Sequence, residues 1–184
     1  MQRDLVLLAS NGDHNAFASL AADAYGRLHR TARLILRRED LASDAVQEAL
    51  TSAWLHIRAV RDPDRFDAWL QRLLVNACYA EARRARAWNA NVRVLPVEGP
   101  GRPDETAAVD DRDRLDRGFR RLPPDQRAIL VFTHYLGLTP TEIAEQLGIP
   151  VGTARSRLHY AHRAMRAAIE ADERPVSVAG GRPR

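Results

Sequence analysis

The chain has 184 residues, of which 45% are hydrophobic and 28% charged, so it is long enough for one domain or two small ones with a buried core. All 28 basic residues are arginines and the formal net charge is +4, which favours partners that carry phosphate. The single cysteine excludes an internal disulfide, no Cys/His cluster has zinc-finger spacing, and no apolar run could span a membrane. We therefore expect a reduced, cytoplasmic protein with no structural metal, no cofactor and no membrane insertion.

Two amphipathic helices are predicted in the first part of the chain. One follows the spacing of Phe17, Leu20, Ala24, Leu28 and Ile35, and the next that of Ala45, Val46, Ala49, Ala53 and Ile57. The second helix also carries Asp44, Gln47, Glu48 and Thr51 beside its apolar stripe. This acidic face is unsuited to DNA. It either binds a basic protein surface or is only solvated, and the local sequence leaves both interpretations open.

A third helix is predicted from about Phe66. Its inner side carries Trp69, Leu70, Leu73, Leu74 and Ala77, and a different side carries Asn76, Tyr79, Arg83 and Arg86. Arginines and aromatic rings together can hold a phosphate backbone and stack unpaired bases. The helix dipole alone also favours arginines near a helix C-terminus, so this cluster, taken by itself, is either a DNA-binding surface or a solvated helix end.

A change of composition then marks a boundary. Between residues 88 and 113 the helical periodicity fails, prolines and glycines cluster, and carboxylates gather. This composition predicts a flexible linker between an N-terminal domain of residues 1–87 and a C-terminal domain of residues 114–173. A long ordered loop inside one domain is the disfavoured alternative. Residues 174–184 are predicted to form a disordered tail.

Two helices joined by a short turn are predicted in the C-terminal domain. Thr139-Pro140-Thr141-Glu142 combines an N-cap hydroxyl, a proline at the first helical position and a carboxylate three residues after the cap. The first helix should end at Gly148, and the turn should run to Gly152. From Thr153 a second helix has an apolar stripe formed by Ala154, Leu158, Ala161, Met165 and Ile169.

This pair of helices is typical of a helix-turn-helix, whose second helix enters the major groove of DNA. Arg155, Ser156 and His159 lie on the exposed side of that helix, where a guanidinium group can bind guanine or phosphate. The alternative is a solvated, arginine-rich face on an ordinary helical hairpin. The capped first helix, the short turn and the absence of acids on the exposed face disfavour that alternative, so the sequence predicts DNA binding.

The order of the motifs extends this prediction. It runs through Asp44-Ala45-Val46-Gln47-Glu48-Ala49, Trp54, Phe66-Asp67-Ala68-Trp69-Leu70, Asn76, the arginine-rich helix end, the linker, Leu122-Pro123, Arg127 and the stretch from Glu142 to Leu158. Over about residues 13–170 this order resembles a bacterial RNA polymerase sigma factor of the extracytoplasmic-function class. The resemblance implies an all-α fold of two small helical domains joined by a flexible linker, the C-terminal one a helix-turn-helix.

The resemblance also implies a role for each face. Core RNA polymerase would be bound by Asp44, Gln47 and Glu48. The melted −10 element of the promoter DNA would be bound by Arg61, Arg65, Phe66, Asn76, Tyr79, Arg83 and Arg86. The duplex −35 element would be bound by Thr153, Arg155, Ser156, Arg157, His159, Tyr160 and Arg163. Members of this family are commonly held inactive by an anti-sigma factor, which is a further partner to be tested.

The predicted function is therefore promoter recognition, promoter melting and transcription initiation, for a stress- or signal-responsive regulon. The sequence has no Gly-rich phosphate loop and no nucleophile motif, so we expect no enzymatic activity. The competing hypothesis is a stand-alone helix-turn-helix regulator, which would bind duplex DNA tightly by itself. A sigma factor would bind DNA weakly until polymerase holds its two domains apart. A pure interaction adaptor leaves the basic second helix unexplained.

Overall fold

The computed structural model describes residues 1–91 and 107–173, and within these ranges every regular element is a helix. The described residues contain no strand, which confirms the predicted all-α fold. Two predicted segments, the central part of the linker at 92–106 and the tail at 174–184, lie outside the described residues.

The N-terminal half consists of four helices and two 3₁₀ turns. The helices are α1 (Gln2–Ser10), α2 (His14–Leu36), α3 (Glu39–His56) and α4 (Phe66–Asn91), and the turns Ile57–Ala59 and Pro63–Arg65 connect α3 to α4. The carboxylate of Asp13 caps α2 by accepting the N–H groups of Asn15 and Ala16, at 2.9 and 3.0 Å. The short helix α1 is not among the predicted helices; it packs on α2 through Val6 and Ala9.

The core of this half lies where α3 packs against α2 and α4. The predicted apolar stripes of α2 and α3 are buried, except that Phe17 is half-buried and packs against Trp54 with ring centroids 5.1 Å apart. Cys78 is also fully buried, and burial, reinforced by the charge of Glu81, raises the pKa of its thiol to about 12. Cys78 is therefore a small residue of the core.

The C-terminal half contains α5 (Ala107–Arg121), α6 (Pro124–Leu130), a π-helical turn (Val131–Tyr135), α7 (Pro140–Leu147) and α8 (Val151–Glu173). Helix α8 packs on α5, α6 and α7, and their contact buries Ile129, Phe132, Ile143, Ala154 and Ala161. Helices α5 and α8 approach closely at Gly118, where a β-carbon would lie 3.0 Å from Cγ1 of Ile169. This packing fixes the position of α8 on the surface of the domain.

Three predicted boundaries differ from the structure. Helix α4 continues to Asn91 and α5 begins at Ala107, so both ends of the predicted linker are helical. Alanine has the highest helix propensity, and the Ala107-Ala108 pair starts α5 although apolar periodicity is weak there. Helix α8 begins at Val151 rather than at Thr153, because the carbonyl of Pro150 already accepts the first helical hydrogen bonds.

The two halves are in contact. Helix α4 packs on α6 and α7, and α2 packs on α6. Nη2 of Arg65 lies 2.5 Å from Oε2 of Glu145, and Arg37 pairs with Asp116. The described residues therefore form what we call the closed arrangement, in which α4 and the helix-turn-helix are neighbours.

Candidate nucleic-acid interface

The helix-turn-helix is formed by α7, a three-residue turn and α8. The hydroxyl of Thr139 accepts the N–H of Glu142, and the Glu142 carboxylate accepts the N–H of Thr139 at 2.7 Å, so the predicted capping box is present. The Thr139 hydroxyl also donates to this carboxylate, and the two bonds that the carboxylate accepts, first from the hydroxyl and then from the backbone N–H, hold its pKa below the usual value. Gly148 ends α7 with φ +64°, as its missing β-carbon allows. The turn therefore holds α8 in a defined orientation.

Helix α8 presents one basic face to solvent. Arg155, Ser156, His159 and Arg163 are exposed and lie on the side opposite the buried Ala154 and Ala161. Thr153 is half-buried and Tyr160 is exposed, and both lie at one margin of this face. Arg157 lies on a different side, where its charge acts on Tyr79 of α4. The structure thus brings six of the seven predicted −35 residues to one face or its margin and separates Arg157 from them.

Helix α4 carries the second predicted DNA surface. Asn76, Arg83 and Arg86 are exposed and share a face with Tyr79. Tyr79 is half-buried, and burial, together with Asp125, raises the pKa of its hydroxyl to about 12. Arg72 belongs to the same face, since it lies one helical turn before Asn76. Arg72 was not among the predicted −10 residues, although its spacing of four residues from Asn76 places it on the same helical face.

Three further predicted −10 residues lie at or just before the start of α4. Arg61 and Arg65 are exposed, and Arg65 pairs with Glu145 of α7. Phe66 is only 2% exposed and packs beside Trp69, with ring centroids 6.0 Å apart. The structure therefore places Phe66 in the core and not on the predicted DNA surface. The residue shares a buried stripe with Leu70, so its aromatic ring anchors α4 in the core.

The acidic face of α3 is the third predicted surface. Asp44, Gln47 and Glu48 are exposed and line an open cleft of about 430 Å³. Leu55, which is 69% exposed, lines the same cleft. Glu48 pairs with Arg84 of α4. The face therefore combines carboxylates with an exposed apolar side chain, whereas the exposed face of α8 is basic.

Neither a metal-binding cluster nor a spanning helix occurs in the described part of the chain. No three His, Cys, Asp or Glu side chains lie close enough together there to hold a metal ion. None of the helices in residues 1–91 and 107–173 has the length and apolar character needed to cross a membrane.

An all-helical fold with a capped helix-turn-helix and a basic exposed second helix defines a DNA-binding protein. The family described as Sigma-70 region 2 matches residues 20–88, and that described as Sigma-70, region 4 matches residues 112–166. The ECF RNA polymerase sigma factor SigM of Mycobacterium tuberculosis is 37% identical over 158 residues, which cover 84% of this chain and 78% of the relative. The chain belongs to the extracytoplasmic-function class of RNA polymerase sigma factors.

Solved structures share the fold. CnrH, solved in complex with the cytosolic domain of CnrY, superposes with a TM-score of 0.63 at 27% identity, covering 93% of this chain and 98% of CnrH. RpoE from Bartonella quintana, solved in complex with the anti-sigma factor NepR, has a TM-score of 0.62 at 22% identity, covering 85% of this chain and 98% of RpoE. The latter likeness concerns the fold alone.

Membership of this class establishes what the protein does. It binds core RNA polymerase and directs promoter recognition and transcription initiation, with region 2 serving the −10 element and region 4 the −35 element. The hypothesis of a stand-alone regulator is not favoured, because the N-terminal half matches the sigma region that such a regulator would lack.

Proposed function

We propose that this sigma factor uses three separate surfaces, one for core polymerase and one for each promoter element. The observation that carries the proposal is the difference in chemistry among the exposed faces of α3, α4 and α8. The first is acidic with an exposed leucine, the second mixes arginine with amide and phenol groups, and the third is basic. Each face therefore suits a different partner.

Core polymerase binds the acidic face of α3 through Asp44, Gln47 and Glu48. Protein interfaces place apolar side chains inside a polar rim, and Leu55 supplies an exposed apolar side chain in the cleft that these residues line. We include Leu55 in the polymerase surface for this reason. The pair between Glu48 and Arg84 keeps the carboxylate positioned at the margin of that cleft.

The −10 surface lies on α4 and the turn before it. Arg61, Arg65, Arg83 and Arg86 contact the phosphate backbone, whereas Asn76 and Tyr79 contact bases of the melted strand. A melted strand exposes base faces that stack on aromatic rings, so capture of single-stranded DNA favours promoter opening without a chemical step. Arg72 joins this surface because it lies on the same helical face.

The −35 surface lies on the exposed face of α8. Arg155 is placed near the start of the helix, where the guanidinium fork can bind the O6 and N7 acceptors of guanine in the major groove. Ser156, His159 and Arg163 extend this face. Thr153 and Tyr160 contact the DNA from its margin. Because the two DNA surfaces are on one chain, binding of one raises the effective concentration of the other at its promoter element, which increases the overall affinity.

The factor acts in the cytoplasm, performs no catalytic step of its own and serves a stress- or signal-responsive regulon. An anti-sigma factor holds it inactive until the signal arrives. The solved complex of CnrH with a domain of CnrY supports a protein partner for this chain. Co-purification of the untagged native protein would identify the partner, and recovery of free protein alone under every growth condition would count against it.

In vitro transcription tests the function directly. Purified sigma-free core polymerase is supplied with a genomic DNA library, and transcript 5′ ends are sequenced with and without this protein. We expect new start sites that share two spaced upstream elements. Absence of new transcripts, together with tight duplex binding by the protein alone, would contradict the proposal and favour a stand-alone regulator.

A further inference from the structure

A pocket of about 400 Å³ lies where the two halves of the molecule meet. It is bounded by the end of α2, by α4 and by the junction of α5 with α6. Within the described chain its lining contains no acidic residue, and its basic residues are Arg38, Arg86, Arg120, Arg121 and Arg127. A concentration of like charge in a recess is unfavourable unless an anion enters it.

Arg127 is the most buried of these arginines, with 8% of its surface exposed. Its Nε has no hydrogen-bond partner among the described residues, and its Nη1 donates only a 3.5 Å bond to the carbonyl of Arg120. Burial and the charges of Arg37 and Arg86 lower its pKa to about 10, although Asp125 opposes the shift. A buried guanidinium with so few partners is costly, which indicates a missing anionic partner.

Two of the nearby carboxylates are already engaged, and a third, Asp125, acts on the charge of Arg127 but forms no ion pair with it among the described residues. Asp116 pairs with both Arg37 and Arg120, the latter at 2.7 Å, and Asp40 pairs with Arg38. Arg86 has no carboxylate within ion-pair distance in the part of the chain that the structure describes. Two guanidinium groups, one from each half of the molecule, therefore remain for a ligand.

We propose that this pocket binds a small anion with at least two phosphate groups, held by Arg86 of α4 and Arg127 of α6. The arginine fork binds phosphate oxygens in a bidentate manner. The volume is that of a small-molecule site, which excludes duplex DNA. The remaining wall is apolar and can accommodate a nucleoside joined to the phosphates; it consists of Leu36, Leu41, Ala82, Ala85, Leu122, Pro123 and Pro124.

Such a ligand would favour the closed arrangement, because it contacts both halves at once and binds only when they are together. The inference goes beyond promoter binding and assigns the protein a small-molecule ligand. Arg86 also belongs to the proposed −10 surface, but the test uses neither polymerase nor promoter DNA, so its outcome does not depend on the three surfaces proposed above.

Isothermal titration calorimetry of the full chain tests the site, with pyrophosphate and ATP as separate probes at about 0.15 M salt. We expect one site per chain, and Arg86→Gln should weaken binding about tenfold or more. The matched control is Arg58→Gln, which removes the same charge from an exposed 3₁₀ turn and should leave affinity unchanged. Tighter binding of ATP than of pyrophosphate would show that the apolar wall contacts the nucleoside, whereas equal affinity would show recognition of phosphate alone.

A second variant, Arg127→Lys, keeps the charge but removes the fork, and circular dichroism verifies that it folds. It should bind more weakly than the wild type. Absence of binding by the wild type, equal losses in Arg86→Gln and Arg58→Gln, or wild-type affinity in both Arg86→Gln and Arg127→Lys would overturn the proposal. Each of these results would leave the assignment as a sigma factor intact.

Discussion

Arg155 and Arg157 are two residues apart on α8 but lie on different sides of it. Comparing their alanine variants therefore distinguishes base recognition from the general effect of losing a positive charge. Arg155 is on the exposed basic face, whereas Arg157 lies on the side of α8 from which its charge acts on Tyr79. We expect Arg155→Ala to cost on the order of 1–3 kcal/mol in −35 duplex binding and to relax specificity there. Arg157→Ala should cost less and leave specificity unchanged. Fluorescence anisotropy with matched and mismatched duplexes measures both, and equal losses of specificity would contradict the assignment of faces.

His162 predicts a pH dependence of stability. Its pKa is lowered by partial burial and by the charges of His134, Arg166 and His159, and its Nε2 lies 2.9 Å from that of His134. The folded state therefore binds a proton less readily than the unfolded state, whose histidines have a pKa of about 6.5. The stabilisation is fully present above that value and is lost as the pH falls below it through the lower pKa of the folded state.

Thermal unfolding between about pH 7.5 and about pH 5.5 tests this dependence. The midpoint should fall on acidification in the wild type and fall less in His162→Asn. The difference should be small, because the ring is exposed to solvent. Identical pH slopes for the two proteins would exclude the effect.

At the scale of the element, the turn of the helix-turn-helix depends on Gly148. A β-carbon there would lie 2.5 Å from Nη2 of Arg72, and the φ of +64° is unfavourable for other residues. Gly148→Ala should lower the free energy of unfolding by about 1 kcal/mol or more. Gly152→Ala is the matched control, because Gly152 lies in α8 where an added methyl group would meet nothing within 4 Å, and it should be neutral or stabilising. Denaturant unfolding compares them, and equal effects would refute the role of Gly148.

The acidic face of α3 supports a prediction about partner selection. Replacing Asp44 and Glu48 together by alanine should abolish binding of core polymerase, because the proposed docking surface loses its exposed carboxylates. Duplex binding by α8 should be retained, since that helix lies on the other half. Affinity capture of core polymerase and gel shift with a −35 duplex measure the two activities. Loss of duplex binding equal to the loss of polymerase binding would show that the surfaces are not separate.

Features that depend on neighbouring residues can be predicted from the sequence, whereas features that depend on tertiary contacts cannot. The capping box at Thr139 and the helix end at Gly148 could be predicted because their partners lie within a few residues of each other. The family resemblance assigns Phe66 to DNA, although its spacing from Leu70 already indicates burial. Arg127 gives no local signal, because its environment depends on the contact between halves that are far apart in sequence.

At the scale of the whole molecule, the closed arrangement covers part of the proposed −10 surface. Arg65 pairs with Glu145 of α7, and Tyr79 is half-buried near Asp125 and Arg157. A melted strand cannot reach these side chains fully while α4 and the helix-turn-helix are neighbours. The two halves must therefore separate before both promoter elements are bound, which makes the closed arrangement a barrier to DNA binding by the free protein.

Weakening the contact between the halves should therefore strengthen DNA binding by the protein alone. Glu145→Gln removes the partner of Arg65. Since an exposed ion pair contributes about 0.2–1 kcal/mol, affinity for a −10/−35 promoter fragment should rise by up to about fivefold. Glu170→Gln makes the same charge change at an exposed position of α8 away from this contact and controls for the loss of one negative charge. Anisotropy titrations at matched salt measure both variants. An equal rise in both would attribute the effect to net charge, whereas a rise confined to Glu145→Gln would show that the closed arrangement limits access to the −10 surface.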